Sequence, residues 1–363
     1  MGEAPPPAWS CLGSAGFGFV FVVVIVSCCV CNKWRARGRK AQRYLAANME
    51  KPLFRLAYVL YSNTKLGMCY HKRQVKNARK RLPSGHSDVK PLIFNGLKIF
   101  PIPMLVDNYS YLVVATETGC GVVIDPSDPQ AVQACIEREG VYLDAILTTH
   151  KHWDHSGGNI ALKSLYKCRV YGTSMDNIPG LTSPVHDGEE LTFGQLRFRV
   201  ALTPGHTHGH ATYMLDGKSF GVSDCLFSGD LLFLAGCGQI FEGTADAMLA
   251  SLDFVSGLAD DTMLFPGHEY ALENLMFAAD LEPKNEAILL KLDWANEQRR
   301  SRLCTSPSAI GEERTYNPFL RTGSEALHTA LSLQWKETDP WEKFRAQILQ
   351  ELRQRKNAFC GHI

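Results

Sequence analysis

The stretch "TTHKHWDHSGG" at residues 148–158 places three histidines and an aspartate within six positions: His150, His152, Asp154 and His155. An apolar run, "AILTT", leads into it and two glycines follow. This order predicts a buried strand that delivers His150 at its C-terminal edge, then a tight loop, then a helix that Ser156 can cap. Histidine and carboxylate side chains are the natural ligands of zinc and similar ions. A strand end with a tight loop can aim His150 and His152 at one point, and Asp154 and His155 at a second point nearby. The alternative is a chance cluster of surface polar residues. With only twelve histidines in 363 residues, three within six positions is a rare accident.

The same device recurs. "LTPGHTHGH" (202–210) has an apolar lead, a Pro-Gly turn and then His206. "CLFSGD" (225–230) ends in Asp230, and "MLFPGHEY" (263–270) brings His268. Four strand ends thus supply seven ligand-type side chains. Between them, "LKIFPIPM", "SYLVVATE" and "GVVIDP" read as strands, and residues near 129–139 as a helix. The alternation predicts an α/β fold.

In this order the residues resemble the metallo-β-lactamase superfamily, whose fold is an αββα sandwich. The closer resemblance is to its glyoxalase II (hydroxyacylglutathione hydrolase) branch, through "GCGQIFEGTADAM" (236–248), "PGHEY" and "ETDPWEKFR". It runs over about residues 95–363. It implies a catalytic domain at 92–268 and a helical substrate domain at 269–363. It also implies two divalent metal ions, zinc first and iron or manganese as alternatives. One ion would be held by His150, His152 and His206, the other by Asp154, His155 and His268. Asp230 would bridge them, with Asp154 and Asp230 as the catalytic carboxylates. The implied substrate is a small thioester, glutathione-linked or on a related thiol. The family's glutathione-binding loop carries a Lys and a Tyr where this chain has Gln239 and Phe241. Tyr270 is kept, and Arg353 and Lys356 match the family's C-terminal basic pair. A thiolate leaves readily, because its conjugate acid has a pKa of about 8.5.

The front of the chain is different in kind. Residues 32–81 hold fifteen Lys/Arg and one acid, Glu50, whereas residues 82–363 hold twenty-three Lys/Arg and thirty-five Asp/Glu. A segment of net +14 therefore precedes a part of net −12. Such an acidic domain is poorly suited to nucleic acid. The uncharged stretch 12–30, nineteen residues long, would reach about 28 Å as a helix, and no Lys or Arg precedes residue 33. These features predict a single transmembrane helix within residues 1–33, with the bulk of the chain facing the cytoplasm. Residues 34–91 then read as a basic juxtamembrane segment against anionic lipid, ending in the linker "RLPSGHSDVKP". Pro6 stands where myristoylation needs Ser or Thr, whereas Cys28, Cys29 and Cys31 are palmitoylation candidates. The cysteines of the globular part are scattered, as expected of free thiols in a reducing compartment.

Two other functions compete with a membrane-anchored hydrolase. One is an iron-dependent persulfide dioxygenase, whose branch shares the HxHxDH motif. The other is a non-catalytic membrane-tethered interaction protein on the same fold.

Overall fold

Every residue of the strand Asn108–Ala115 is buried, which requires cover on both faces of its sheet. The computed structural model, which describes residues 52–359, shows what supplies it. Seven strands form the first sheet in sequence order: β1 (Leu92–Ile93), β2 (Leu97–Met104), β3 (Asn108–Ala115), β4 (Cys120–Ile124), β5 (Tyr142–Leu147), β6 (Arg169–Gly172) and β7 (Ser183–Pro184). The second sheet has β8 (Glu190–Phe193), β9 (Leu196–Leu202), β10 (Ala211–Leu215) and β11 (Cys225–Gly229). After the small hairpin β12 (Leu232–Phe233) and β13 (Gly236–Cys237) come its β14 (Met263–Pro266) and β15 (Ser308–Ala309). Its order is β15-β14-β11-β10-β9-β8.

The two sheets pack face to face. Tyr111, Val113 and Ala115 of β3 meet Phe198 and Val200 of β9 and Phe227 and Phe265 of the second sheet in one apolar core. β9 shows the alternation expected of a half-covered strand: Leu196, Phe198 and Val200 are buried while Arg197 and Arg199 are exposed. The opposite face of β3, Leu112 and Val114, packs with residues of α3 (Pro129–Glu139) and α5 (Asn159–Tyr166). The outer face of the second sheet lies on α6 (Ala245–Ser256) and the helices α7 (Ala271–Leu281), α8 (Glu286–Arg300), α9 (Ile310–Tyr316), α10 (Glu325–Leu331) and α11 (Trp341–Ala358). The layers run α-β-β-α, as the resemblance implied.

Between β5 and α5 lies α4 (Trp153–Ser156), a single turn inside the HxHxDH loop. Ser156 does not cap the next helix: α5 starts from Gly158 with no side-chain cap. Its hydroxyl instead donates to the carbonyls of Lys151 and His152, closing the ligand loop on itself.

The basic front segment also folds. α1 (Pro52–Asn63) and α2 (Lys65–Arg81) form a hairpin turned at Thr64, whose side chain caps α2. His71, Val75 and Ala78 recur at helical spacing and are buried, while Lys72, Arg73, Lys76 and Lys80 stay exposed. The hairpin is fastened to the sandwich. Arg79 donates to Asp128 at 2.8 Å, Trp153 Nε1 to the Tyr61 carbonyl at 2.7 Å, and His71 Nε2 lies 3.0 Å from the Ser127 carbonyl. Gly157 permits this approach, because a Cβ there would sit 2.2 Å from His71 Nε2. The expected transmembrane stretch 12–30 lies outside the described residues, and among those described no helix is long and apolar enough to cross a membrane.

Candidate metal centre

All the ligand-bearing loops open at one edge of the sandwich. His150 follows β5, His206 follows β9, Asp230 follows β11 and His268 follows β14. The sharp exit from β11 uses Gly229 at φ +50°, where a Cβ would lie 2.5 Å from Thr149 Oγ1. Asp230 is thereby turned back into the cluster.

Two groups of side chains converge. In the first, His152 Nδ1 is 3.0 Å from both His150 Nε2 and His206 Nε2. In the second, His155 Nε2 and His268 Nε2 are 3.2 Å apart, with Asp154 Oδ2 at 3.7 Å from the latter. Both triads place one ligand atom per residue within 4.8 Å of one another. Asp230 faces both: its Oδ1 is 3.1 Å from His155 Nε2 and 3.3 Å from His268 Nε2, and its Oδ2 is 3.4 Å from His206 Nε2. Buried Oδ1 has no hydrogen-bond donor. An anionic oxygen orphaned inside a histidine cluster suits a cation. The donor set, five imidazoles and two carboxylates, fits divalent ions of the zinc type.

The ring nitrogens turned away from the cluster are held as well. His155 Nδ1 is 2.9 Å from Asp125, His268 Nδ1 3.0 Å from Asp107, and His206 Nδ1 2.8 Å from the Gln239 carbonyl. His150 Nδ1 meets Thr149 Oγ1 at 3.0 Å, and His152 Nε2 meets Tyr58 Oη at 2.9 Å. Such outer partners fix ring orientation and tautomer. Asp176 ties two loops together: it accepts from the backbone N–H of Lys151 and of Gly209 and from the Thr207 hydroxyl. His210 Nε2 accepts from the Asp230 backbone N–H at 3.2 Å.

The two groups differ electrostatically. Burial pushes His150 well below the usual imidazole value and His152 down to about 3, with neighbouring imidazoles adding to the effect. Burial lowers His206 too. His155 and His268 move the other way. Burial opposes their charge, but Asp230 and Asp125 raise His155 well above its ordinary value, and Asp230 with Asp107 raises His268 to about 10. Burial would raise Asp154, yet His155 and His268 hold it at about 2. The carboxylate side of the site therefore collects positive charge, as protons or as a metal ion. An ion there must displace those protons. Its affinity is expected to climb as pH rises from 6 to 8, by up to about tenfold per displaced proton per unit. The affinity at His150/His152/His206, already neutral, should stay nearly flat. Chelator competition at several pH values measures both, and equal slopes would contradict this division.

A cavity of about 950 Å³ opens over the cluster, lined by His152, Asp154, His206, Asp230 and His268. All five residues expected to touch substrate, Gln239, Phe241, Tyr270, Arg353 and Lys356, line it too. Tyr270 stacks on His268, with centroids 4.6 Å apart. Arg353 donates to the Cys237 carbonyl at 2.6 Å, and Lys356 pairs with Glu273 at 3.1 Å. Sequence reasoning missed Asp107, Asp125, Asp176, His210, Glu242 and the hairpin tyrosines Tyr58 and Tyr61. Asp125 had a signal, since it ends "VVID" at a strand edge as the ligands do. The others have no local signature.

Known proteins are similar to this chain. The model of the metallo-beta-lactamase superfamily matches residues 105–268, and that of the hydroxyacylglutathione hydrolase C-terminus matches 269–359. A cytoplasmic hydroxyacylglutathione hydrolase of Arabidopsis thaliana is 42% identical over 268 residues, 73% of this chain and 100% of that protein. A hydroxyacylglutathione hydrolase-like protein of Gallus gallus is 44% identical over 233 residues, 64% of this chain and 82% of that one. A solved metallo-beta-lactamase of Staphylococcus aureus is 20% identical, with 70% of each chain covered and a TM-score of 0.47. The expectation of a single-pass membrane protein does not stand. No helix among the described residues can span a bilayer, and the plant relative is named as cytoplasmic. With one relative matched along its whole length and both parts of the chain accounted for, the protein belongs to the hydroxyacylglutathione hydrolase branch of the metallo-β-lactamase superfamily.

Proposed function

We propose that this chain hydrolyses a thioester, glutathione-linked or on a related thiol, at a two-zinc centre. The carrying observation is the split of Asp230, whose Oδ1 faces His155 and His268 while its Oδ2 faces His206. Such a split suits a carboxylate that would be shared between two ions. His150, His152 and His206 would hold one ion, and Asp154, His155 and His268 the other. The bound ions would supply a water acidified toward a pKa of about 7 and positive charge for the developing oxyanion.

The chain's own side chains do the rest. Asp154 retains more exposure to the cavity than the other ligand-type residues and accepts from Asn108 Nδ2 at 3.3 Å, which supports a role for its carboxylate in orienting the attacking water. The thiolate would leave without a strong general acid. Among the described residues no serine lines the cavity, and its one cysteine, Cys237, is a buried thiol that burial pushes up to about 11 and that donates to the Gly238 carbonyl. Arg353 and Lys356 put positive charge in the cavity wall, suited to a thiol carrying carboxylates. Both already hold protein partners, so a substrate carboxylate would share these cations rather than find them bare.

The test is turnover of a panel of glutathione and coenzyme A thioesters, lactoylglutathione included, by zinc-loaded protein, followed by loss of thioester absorbance. Hydrolysis without oxygen uptake is expected. Zinc-loaded protein that cleaves none of the panel would remove the reading.

A further inference from the structure

The hairpin α1–α2 precedes the region that the family models match, which begins at residue 105, yet it forms one wall of the cavity through Tyr58, Tyr61 and Tyr70. Tyr61 Oη lies 3.4 Å from Asp154 Oδ1, and Tyr58 reaches the first histidine triad. The phenol oxygen lies 2.9 Å from His152 Nε2 and 2.9 Å from Glu242 Oε1. The ring stacks on Phe241, with centroids 5.0 Å apart and planes 13° apart. Glu242 is itself fixed, by Lys151 Nζ at 2.5 Å and by the His208 backbone N–H at 3.1 Å. Lys151 stands between His150 and His152 in the chain, and His208 lies two residues past His206. The network therefore closes a ring around the first histidine triad, and Tyr58 is the member that comes from outside the sandwich.

The proton positions follow from the geometry. His152 turns Nδ1 into the triad, where a free lone pair is required for ligation. Its proton is then on Nε2 and is donated to the Tyr58 oxygen. The Tyr58 O–H is donated in turn to Glu242. The reverse orientation, with Tyr58 donating to Nε2, would put the proton on Nδ1 and take away the lone pair that ligation needs.

Resting on the function proposed above, we infer that Tyr58 is a positioning residue for His152: its hydroxyl, anchored by Glu242, holds the imidazole in the ring orientation and tautomer that ligation at Nδ1 needs. The active site of this chain is thus completed by a segment ahead of the catalytic domain. Phe241 takes part by fixing the plane of the tyrosine ring.

Tyr58→Phe in the full chain tests this, because it deletes the hydroxyl and keeps the stack. Val59→Ala, at an exposed position on the same helix, is the control. Zinc affinities are read by chelator competition, thermal midpoints by unfolding, and the His152 ring nitrogens by nitrogen-15 spectra of metal-free protein. Tyr58→Phe should weaken one of the two zinc ions by roughly ten- to a hundredfold and leave the other unchanged. It should lower kcat for a thioester with KM little altered, leave the midpoint near wild type, and shift His152 away from a single tautomer. Val59→Ala should do none of these. Wild-type zinc affinities and an unchanged His152 spectrum in Tyr58→Phe, with thioester turnover intact, would overturn the positioning role alone. A lowered midpoint with both ions weakened equally would also overturn it. If the affinities split as described but wild type cleaves no thioester, the substrate reading falls and the positioning of His152 stands.

Discussion

Asp230→Ala is expected to abolish turnover, by about a thousandfold or more, equivalent to about 4 kcal/mol of transition-state stabilisation. It should also lower metal content more than any single histidine substitution. The reason is geometric. His152 and His206 belong to one side and His268 to the other, whereas Asp230 places one oxygen on each. On the proposed reading, removing it would take a ligand from two ions and the shared negative charge from between them. The fold should survive, because the bond that seats the loop is made by the Asp230 backbone N–H to His210 Nε2 and does not involve the side chain. Metal analysis beside a circular-dichroism spectrum checks this. A well-folded variant with two ions and near-normal turnover would contradict the bridging role.

Asp176→Ala should act on stability as well as on the site. The carboxylate is fully buried and accepts from Lys151 N at 2.9 Å, Gly209 N at 2.9 Å and Thr207 Oγ1 at 2.7 Å. Alanine would strand two backbone N–H groups and a hydroxyl in the interior. Each such loss costs on the order of 1–3 kcal/mol, so the total should reach about 4 kcal/mol. The loop bearing His150 and His152 and the loop bearing His206 would lose their common tie, and the first triad should bind its ion weakly. Asp176→Asn keeps one acceptor oxygen and should fall between. Denaturant unfolding of the metal-free proteins is the measurement. A loss below about 1 kcal/mol for the alanine variant would show that the loops are held by other contacts.

The seven ligand-type residues were legible because each follows an apolar strand or lies in the dense 150–155 cluster, so local sequence alone announces them. The strands and the α/β class were legible for a similar reason, since strand periodicity and β-branched runs are local, whereas the sandwich was implied by the family resemblance. What encloses the site was not. Asp176 reaches Lys151 across 25 positions and Tyr58 reaches Glu242 across 184, and no local pattern marks such a pair. The hairpin was read only through its charge. Its lysines and arginines suggested a lipid surface, but the His71, Val75, Ala78 spacing describes a helix with one buried face. Gln239 and Phe241 stood out only as departures from the family. The structure gives Phe241 a partner, the stacked Tyr58 ring, whereas Gln239 meets His206 Nδ1 only through its backbone carbonyl, a contact any residue there could make.

The central claim is that two ions, joined by Asp230, do the hydrolysis. Metal-free protein titrated with zinc, with bound zinc and thioester turnover followed in the same samples, tests it most directly. Full turnover should require two zinc ions per chain, and Asp230→Ala should fail to reach it at any zinc concentration. Full turnover at one zinc per chain, or turnover indifferent to zinc, would contradict the account.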